Sequence, residues 1–418
     1  MQGITFLEPI YYTMVYGPVK SGKSSELVSA IRNLRLAGVD ENKIMVFKHA
    51  LEDKENEGKI VSSSGLFEDA IEVEDAKAIY QSLLKNPKSK YVFIAGANFF
   101  DKLEGQVGDL GSDKPDICNL TKAIVDSEKF VVLSGLPLDG EGNYFNNMPE
   151  LMALAQNYVG KTGICFSDGN PATKSRKIDG GYMPVCNSCF YNLSEKAEEL
   201  SKQNILSIVG PMFSSKTETL CNLLGELKII SEKTDGLERL MVFKPSIDTR
   251  YSEKSEIVSH NRRAVASYSI RDCKEIEEII SLGENSGKNK IVIDEAQFIT
   301  GVSELVRNYS KLGHSFILTG LNRDFRGEAF GEDIGRILCL SDRIDCRSTI
   351  CSYPGCENSA TETQRIIEKE GVSMPANYND PIVVVGGNDS YRAYCKHHHK
   401  ALRGGDPNPF GDLKYALK

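Results

Sequence analysis

Two adjacent carboxylates close the segment IVIDEAQF (291–298), where Asp294 and Glu295 directly follow an apolar run. At the end of a buried strand such a pair can divide the work of phosphoryl transfer. The first acid would hold a magnesium ion, directly or through water, and the second would accept the proton of an attacking hydroxyl. A solvated strand end has the same composition, so the reading needs a phosphate site nearby. GPVKSGKS (17–24) satisfies the Gly-x-x-x-x-Gly-Lys-Ser/Thr loop in full, with backbone amides to face a triphosphate, Lys23 to compensate β/γ charge and the Ser24 hydroxyl to face magnesium. GPMFSSKT (210–217) keeps Gly210, Lys216 and Thr217 but has Ser215 at the second glycine, where a glycine-like backbone would strain a serine.

The two loops belong to a duplication. MVYGPVKSGKSSEL (14–27) matches ILSIVGPMFSSKTETL (205–220), IMVFK (44–48) matches LMVFK (240–244), and YVFIAGANF (91–99) matches KIVIDEAQF (290–298). VVLSGL (131–136) then matches FILTGL (316–321), and ATKSRKI (172–178) matches ATETQRI (360–366). Five segments in one order define a repeat of about two hundred residues. Two domains, 1–198 and 199–418, are expected, joined near the charged stretch NLSEKAEELSKQN (192–204), which reads as a linker helix; the final DLKYALK reads as a solvated tail. The acids occur once. Ala95 and Gly96 stand opposite Asp294 and Glu295, so the first copy can cradle phosphate but cannot supply a base from these positions.

The elements that must position these residues are legible in the second copy. ILSIVG, LMVFK, NKIVIDE and HSFILTG read as buried parallel strands, with TETLCNLLGELKIISEK and DCKEIEEIISLGE as helical patterns between them. This order predicts an α/β fold, a mostly parallel sheet with helices on both faces. Ligands of such sheets bind beyond the carboxyl ends of the strands, where Gly210, Asp294, Glu295 and Gly320 would lie.

Composition narrows the function. The 418 residues carry a formal net charge of −8, with lysines scattered among acids, so no track for polymeric nucleic acid is visible and a helicase-like motor is disfavoured. The opening residues lack a secretory pattern and no segment is apolar enough to span a membrane, so a cytoplasmic location is expected. The eleven cysteines then read as thiols or metal ligands.

With loop, acids and late cysteines together, the chain resembles a tandem fusion of two type II thymidine kinases. The resemblance covers about residues 10–200 and 204–400 and is carried by GPMFSSKT, DTRY (248–251), DEAQF, GLNRDFRGEAFG (320–331) and VVVGGNDSYRAYC (383–395). It implies two RecA-like P-loop domains, each followed by a small zinc-ribbon-like lobe that carries a lid. It implies ATP bound along Gly210, Pro211, Met212, Phe213, Ser214, Ser215, Lys216 and Thr217, with Thr217 and Asp294 on Mg²⁺. Glu295 would be the base that deprotonates the thymidine 5′-hydroxyl, Arg250 would neutralise charge at the transferring phosphate, and Asp248 would help place the sugar. Met212, Phe298, Leu321, Phe325 and Phe330 would line the base slot. Thr363, Val384, Gly386, Gly387 and Tyr391 would form the lid over it.

The first copy lacks that lid, since Ala172 and Cys186 are 14 residues apart where Ala360 and Cys395 are 35 apart. Cys351, Cys356, Cys395 and His398 form an acceptable closed zinc set, with His397 and His399 as alternatives to His398. Cys165, Cys186 and Cys189 keep three ligands in the first copy, and Asp168 falls where the fourth is expected. The family's tetramers imply a homodimer of tandem chains. A kinase of broader pyrimidine deoxynucleoside specificity, and a nucleotide-binding scaffold without turnover, are the competing readings.

Overall fold

A computed structural model describes residues 4, 10–62, 65–100, 116–191, 205–233, 238–247, 256–258, 264–281, 288–369, 372–384 and 389–401. The chain divides into two compact units between Cys186 and Asn187. The expected linker helix (192–204), the boundary at 198/199 and the tail (412–418) lie outside the described residues.

In the first unit the apolar runs become six parallel strands: β1 (Tyr12–Tyr16), β2 (Ile44–His49), β3 (Ile71–Val73), β4 (Tyr91–Ala95), β5 (Phe130–Gly135) and β6 (Asn157–Gly160). Their spatial order is β3-β2-β4-β5-β1-β6, and every pairing is parallel. All residues of β1, β2 and β5 are buried, which is why these strands read as continuous rather than alternating apolar runs. Helix α1 (Lys23–Leu36) starts where the phosphate loop ends and buries Leu27, Val28, Ala30, Ile31 and Leu34 on one face. These pack on Val15, Val46, Phe93 and Val132 of the sheet. Each fully buried aliphatic side chain contributes roughly 1.5–3 kcal/mol, so the helix start, and with it the loop, is fixed by the core beneath it.

The second unit repeats the plan with β7 (Ile205–Val209), helix α2 (Lys216–Lys233), β8 (Glu238–Pro245), β9 (Tyr268–Ile270), β10 (Lys288–Ile293), β11 (Ser315–Gly320) and β12 (Arg343–Cys346). The strand order β9-β8-β10-β11-β7-β12 is the first unit's order position for position, again wholly parallel. Leu220, Cys221 and Leu224 of α2 pack on Ile208, Val242, Val292 and Ile317.

The lobes after the sheets differ as the sequence separation requires. In the first unit Lys174–Ile178 and Gly181–Val185 form a plain hairpin, with Lys174 opposite Val185. In the second, β13 (Glu362–Lys369) is shared between two partners. Its start pairs with β15 (Tyr391–Tyr394), Glu362 opposite Tyr394, and its end pairs with β14 (Val372–Pro375). The additional residues thus enter at the turn of the ancestral hairpin and extend it into a three-stranded flap.

Candidate active site

The loop of the second unit curls between β7 and α2. Gly210 has φ 149°, and a Cβ there would lie 2.2 Å from the Arg347 carbonyl oxygen, so only glycine fits. Phe213 and Ser215 are both left-handed, at φ 64° and 59°. The strain expected of Ser215 is therefore present, at a cost of about 1–2 kcal/mol. Lys216 folds back over its own loop and donates to the carbonyls of Gly210 (3.1 Å) and Pro211 (2.7 Å), while the Ser214 hydroxyl donates to Pro211 at 2.8 Å. This holds an ammonium group at the mouth of a curl of backbone amides, the arrangement that binds a polyphosphate.

Asp294 and Glu295 stand directly after β10 and are buried, 4% and 6% exposed. Burial removes the solvated-strand-end reading. Asp294 accepts a short hydrogen bond from the Thr319 hydroxyl at the end of β11, and also one from the Glu295 amide at 3.1 Å. Glu295 takes a left-handed backbone, φ 51°, and its carboxylate accepts from Gln297 Nε2 at 2.6 Å. The other end of that amide, Gln297 Oε1, accepts from the Leu321 amide at 3.1 Å. One side chain thus ties the acid to the segment expected to line the base slot. Only β11 separates β10 from β7. Acids and loop therefore emerge at the same sheet edge two strand spacings apart, about 10 Å, a gap that a phosphoryl group and its acceptor can bridge.

The apolar residues assigned to the base slot are all present in the second unit. Met212, Leu321, Phe325 and Phe330 are buried, and Phe298 meets Phe330 edge to face at 5.7 Å. The Thr363 hydroxyl accepts from the Met212 amide at 3.0 Å, which anchors the flap to the phosphate loop. Tyr391 donates its hydroxyl to the Val384 carbonyl at 2.9 Å, tying the flap's outer segment to β15. Asp248, Arg250, Gly386 and Gly387 lie outside the described residues.

Several supports were not anticipated from sequence. Arg323 and Glu362 form a buried ion pair of 2.9 Å, side chains 8% and 0% exposed, and Arg323 also donates to the Thr361 carbonyl at 2.7 Å. Arg365 lies over the Phe325 ring, 5.4 Å from its centroid, and His399 Nε2 donates to the Phe325 carbonyl at 2.8 Å. Burial lowers the His399 pKa, which suits a neutral ring with its proton on that nitrogen. Thr319 and Gln297 did carry a signal: the first copy has Ser134 and Asn98 at the same places.

Two clusters could hold a metal ion. Cys351, Cys356, Cys395 and His398 bring one ligand atom each within 4.8 Å of one another. Their contacts are 3.9 Å for Cys356 to Cys395, 3.3 Å for Cys395 to His398 Nδ1 and 3.6 Å for Cys351 to His398 Nδ1. A tetrahedron with Zn–S of about 2.3 Å and Zn–N of about 2.0 Å has edges of about 3.8 Å and 3.5 Å, so the donors fit. Tyr353 stacks on the His398 ring at 3.9 Å and fixes its plane. With His399 engaged by Phe325, His398 is the histidine of the cluster. Cys165, Asp168, Cys186 and Cys189 make the second group, with Asp168 in the fourth place and 3.1 Å from Cys186 Sγ.

The first unit repeats the backbone course of the loop. Gly17 has φ 149°, and a Cβ there would lie 2.2 Å from the Lys161 carbonyl oxygen. Lys23 donates to Gly17 (3.2 Å) and Pro18 (2.6 Å), and the Val19 amide donates to Ser175 as Met212 does to Thr363. Asn98 Oδ1 accepts from the Leu136 amide at 3.0 Å, as Gln297 does from Leu321. What it lacks is the two acids.

A family model described as thymidine kinase matches the chain twice, over residues 11–190 and 203–399. Among solved structures, the chain is similar to the cytoplasmic domain of the type VII secretion ATPase EccC of Thermomonospora curvata, at 10% identity and a TM-score of 0.23, over 94% of this chain and 57% of that one. It is also similar to the ATPases 2 and 3 of EssC from Geobacillus thermodenitrificans, at 9% identity and a TM-score of 0.20, over 96% and 92% of the two chains. Among the described residues no helix is long and apolar enough to cross a membrane. Matched over both of its halves, the chain belongs to the thymidine kinase family, and its reaction is the ATP-dependent phosphorylation of thymidine.

Proposed function

We propose that the second unit performs this reaction as a type II thymidine kinase and that the first is its degenerate copy, both RecA-like and both followed by a zinc-ribbon-like lobe. ATP lies along Gly210–Thr217, with Lys216 compensating charge on the β/γ phosphates. Thr217 and Asp294 would hold magnesium, which neutralises the charge that develops during transfer. Thymine occupies the slot of Met212, Phe298, Leu321, Phe325 and Phe330, under a lid that includes Thr363, Val384, Gly386, Gly387 and Tyr391. Glu295 takes the proton from the 5′-hydroxyl, whose oxygen bonds to the γ-phosphorus as the bond to the β-γ bridging oxygen breaks. Thymidine monophosphate and ADP result. Arg250 stabilises the transferring group and Asp248 positions the sugar.

The observation that carries this reading is the buried acid pair held by Thr319 and Gln297, at the sheet edge that also carries the lysine loop. Replacing Glu295 by Gln keeps shape and one hydrogen-bonding oxygen but removes the base. Turnover is expected to fall about 10²–10⁴-fold with ATP and thymidine affinities nearly unchanged. Normal turnover would remove the assignment, and deoxycytidine competition in the same assay reads the width of base specificity.

Cys351, Cys356, Cys395 and His398 hold a structural zinc ion that ties the flap at its ends, and Cys165, Asp168, Cys186 and Cys189 offer a second, harder set. The chain works in the cytoplasm on small substrates rather than polymeric nucleic acid. Two chains pair into a four-unit assembly, which a monomeric mass by light scattering would exclude.

A further inference from the structure

The first unit has lost its acids, its lid and the aromatic slot residue Phe325, where Gly140 now stands. Drift on that scale would be expected to erode a phosphate loop with nothing to bind. The loop instead keeps every glycine of the motif, and Gly22 occupies at φ 87° the left-handed position that strains Ser215 in the working copy. Two further observations concern the cleft itself.

The first is Ser21. Its hydroxyl is buried and without a hydrogen-bond partner, in a residue 8% exposed. It sits inside the curl of the loop, 3.0 Å from where a Cβ on Gly17 would stand. The matched Ser214 hydroxyl is satisfied by Pro211. An orphaned hydroxyl costs about 1–3 kcal/mol unless something completes it, and a phosphate oxygen at the loop is an acceptor of the right kind.

The second is Glu52. Gly96 keeps the left-handed backbone of its counterpart Glu295, at φ 77°, yet a Cβ there would meet Glu52 Cβ at 2.8 Å and His49 Cβ at 3.1 Å. The Glu52 side chain, from the segment after β2 where the second unit carries Asp248, therefore stands against the backbone that bears Glu295 in the other copy. Its carboxylate and the Lys23 ammonium act on each other electrostatically. Lys23 itself is recessed enough for burial to bring its pKa down to about 8.

We propose that the cleft of the first unit is a second binding site of the chain, which holds the polyphosphate of a nucleoside triphosphate on Gly17–Ser24 without turning it over and without selecting its base, and that Glu52 limits its affinity. Base indifference follows from the hairpin that replaces the flap: among the described residues Lys174–Ile178 returns directly through Gly181–Val185, with no segment inserted there to close over a ring. Absence of turnover follows from Ala95 and Gly96. The limit follows from Coulomb repulsion between the Glu52 carboxylate and a phosphate tail on Lys23.

The test is the binding stoichiometry of full-length protein with the non-hydrolysable analogue AMP-PNP and magnesium, by calorimetry. Two analogues per chain are expected, one in Lys216→Ala and one in Lys23→Ala. In Lys216→Ala the remaining site is expected to take AMP-PNP, GMP-PNP and inorganic tripolyphosphate within about tenfold of one another, and adding Glu52→Gln is expected to tighten tripolyphosphate at least about fivefold. Should Lys23→Ala fail to fold, Lys23→Met, which keeps the stem of the side chain, takes its place with the circular dichroism of the parent as control. One analogue per chain, lost entirely in Lys216→Ala, would overturn the proposal, as would a preference above about a hundredfold for one base. Thymidine phosphorylation measured on the same samples separates this from the kinase reading: one site with turnover breaks only the second site, and two sites without turnover break only the kinase.

Discussion

At the phosphate loops the two units differ little. Gly17 and Gly210 share φ 149°, both lysines bond the same two loop carbonyls, and both loops are anchored to the following lobe through a hydroxyl, Ser175 or Thr363. At the ends of β4 and β10 and in the lobes, by contrast, the units differ in the charges that matter most. Asp294 and Glu295 correspond in sequence to Ala95 and Gly96, and the Arg323–Glu362 pair to Leu138 and Lys174. The contrast teaches that a loop built from backbone amides survives as a unit, because its shape is set by glycines and the helix core below. Side-chain chemistry on the same scaffold is lost residue by residue.

The largest effect expected within this comparison is at the pair that only the flap-bearing unit has. Glu362→Ala leaves the Arg323 guanidinium buried and uncompensated, and the second unit is expected to lose about 3–5 kcal/mol, read as a fall in the urea midpoint of its transition. Replacing both residues by Met should restore most of that loss, because a buried ion pair and a packed apolar pair are nearly equivalent in stability. A loss below about 1 kcal/mol for Glu362→Ala would show that the flap does not depend on this contact.

That pair also marks where the sequence stopped being readable. The parallel sheet could be anticipated because each strand is a continuous apolar run and each run occurs twice, so the copies corroborate one another; the strand order could not. The lysine loops and the cysteine sets were legible for the same reason, and so was the strain at Ser215, since the other copy has Gly22 there; the acids, which occur once, were legible from their place after a strand downstream of a phosphate loop. Thr319 and Gln297 were half legible. Ser134 and Asn98 preserve their chemistry, but a polar residue at a strand end looks like ordinary turn composition. Arg323 and Glu362 were not legible: they are 39 residues apart in the chain, and the first copy has Leu138 and Lys174 at their places. His399 was hidden among three consecutive histidines, of which only the geometry shows that one is a cluster ligand and the next a backbone donor.

A smaller effect concerns whether the first unit could regain its chemistry. Gly96→Glu puts a Cβ 2.8 Å from Glu52 Cβ on a left-handed backbone, so something must move. The substitution is expected to cost the first unit about 1–3 kcal/mol. Combined with Ala95→Asp in a Glu295→Gln background, it should restore no measurable thymidine phosphorylation, because Glu52 and His49 fill the space and no flap covers a nucleoside. Recovered turnover would mean that the first unit lacks only its acids.

The smallest effect tests the one place where the degenerate loop is better built than the working one. Ser215 adopts φ 59° where Gly22 adopts 87°, and its side chain accepts the steric cost of the left-handed region. Part of that cost is returned in the unfolded state, where serine has fewer conformations to lose than glycine. Ser215→Gly is therefore expected to stabilise the second unit by about 0.5–1 kcal/mol, and the mirror change Gly22→Ser to destabilise the first by a similar amount. The two changes need not be symmetric in function. The Ser215 carbonyl accepts from the Thr219 hydroxyl at 2.9 Å and from the Thr219 amide at 3.0 Å, so the start of α2 is bonded through this residue's backbone, which glycine preserves. ATP affinity should then change little with Ser215→Gly. A drop of tenfold or more would show that the serine hydroxyl itself contributes to holding the nucleotide, and that the departure from the glycine motif is a functional exchange rather than tolerated strain.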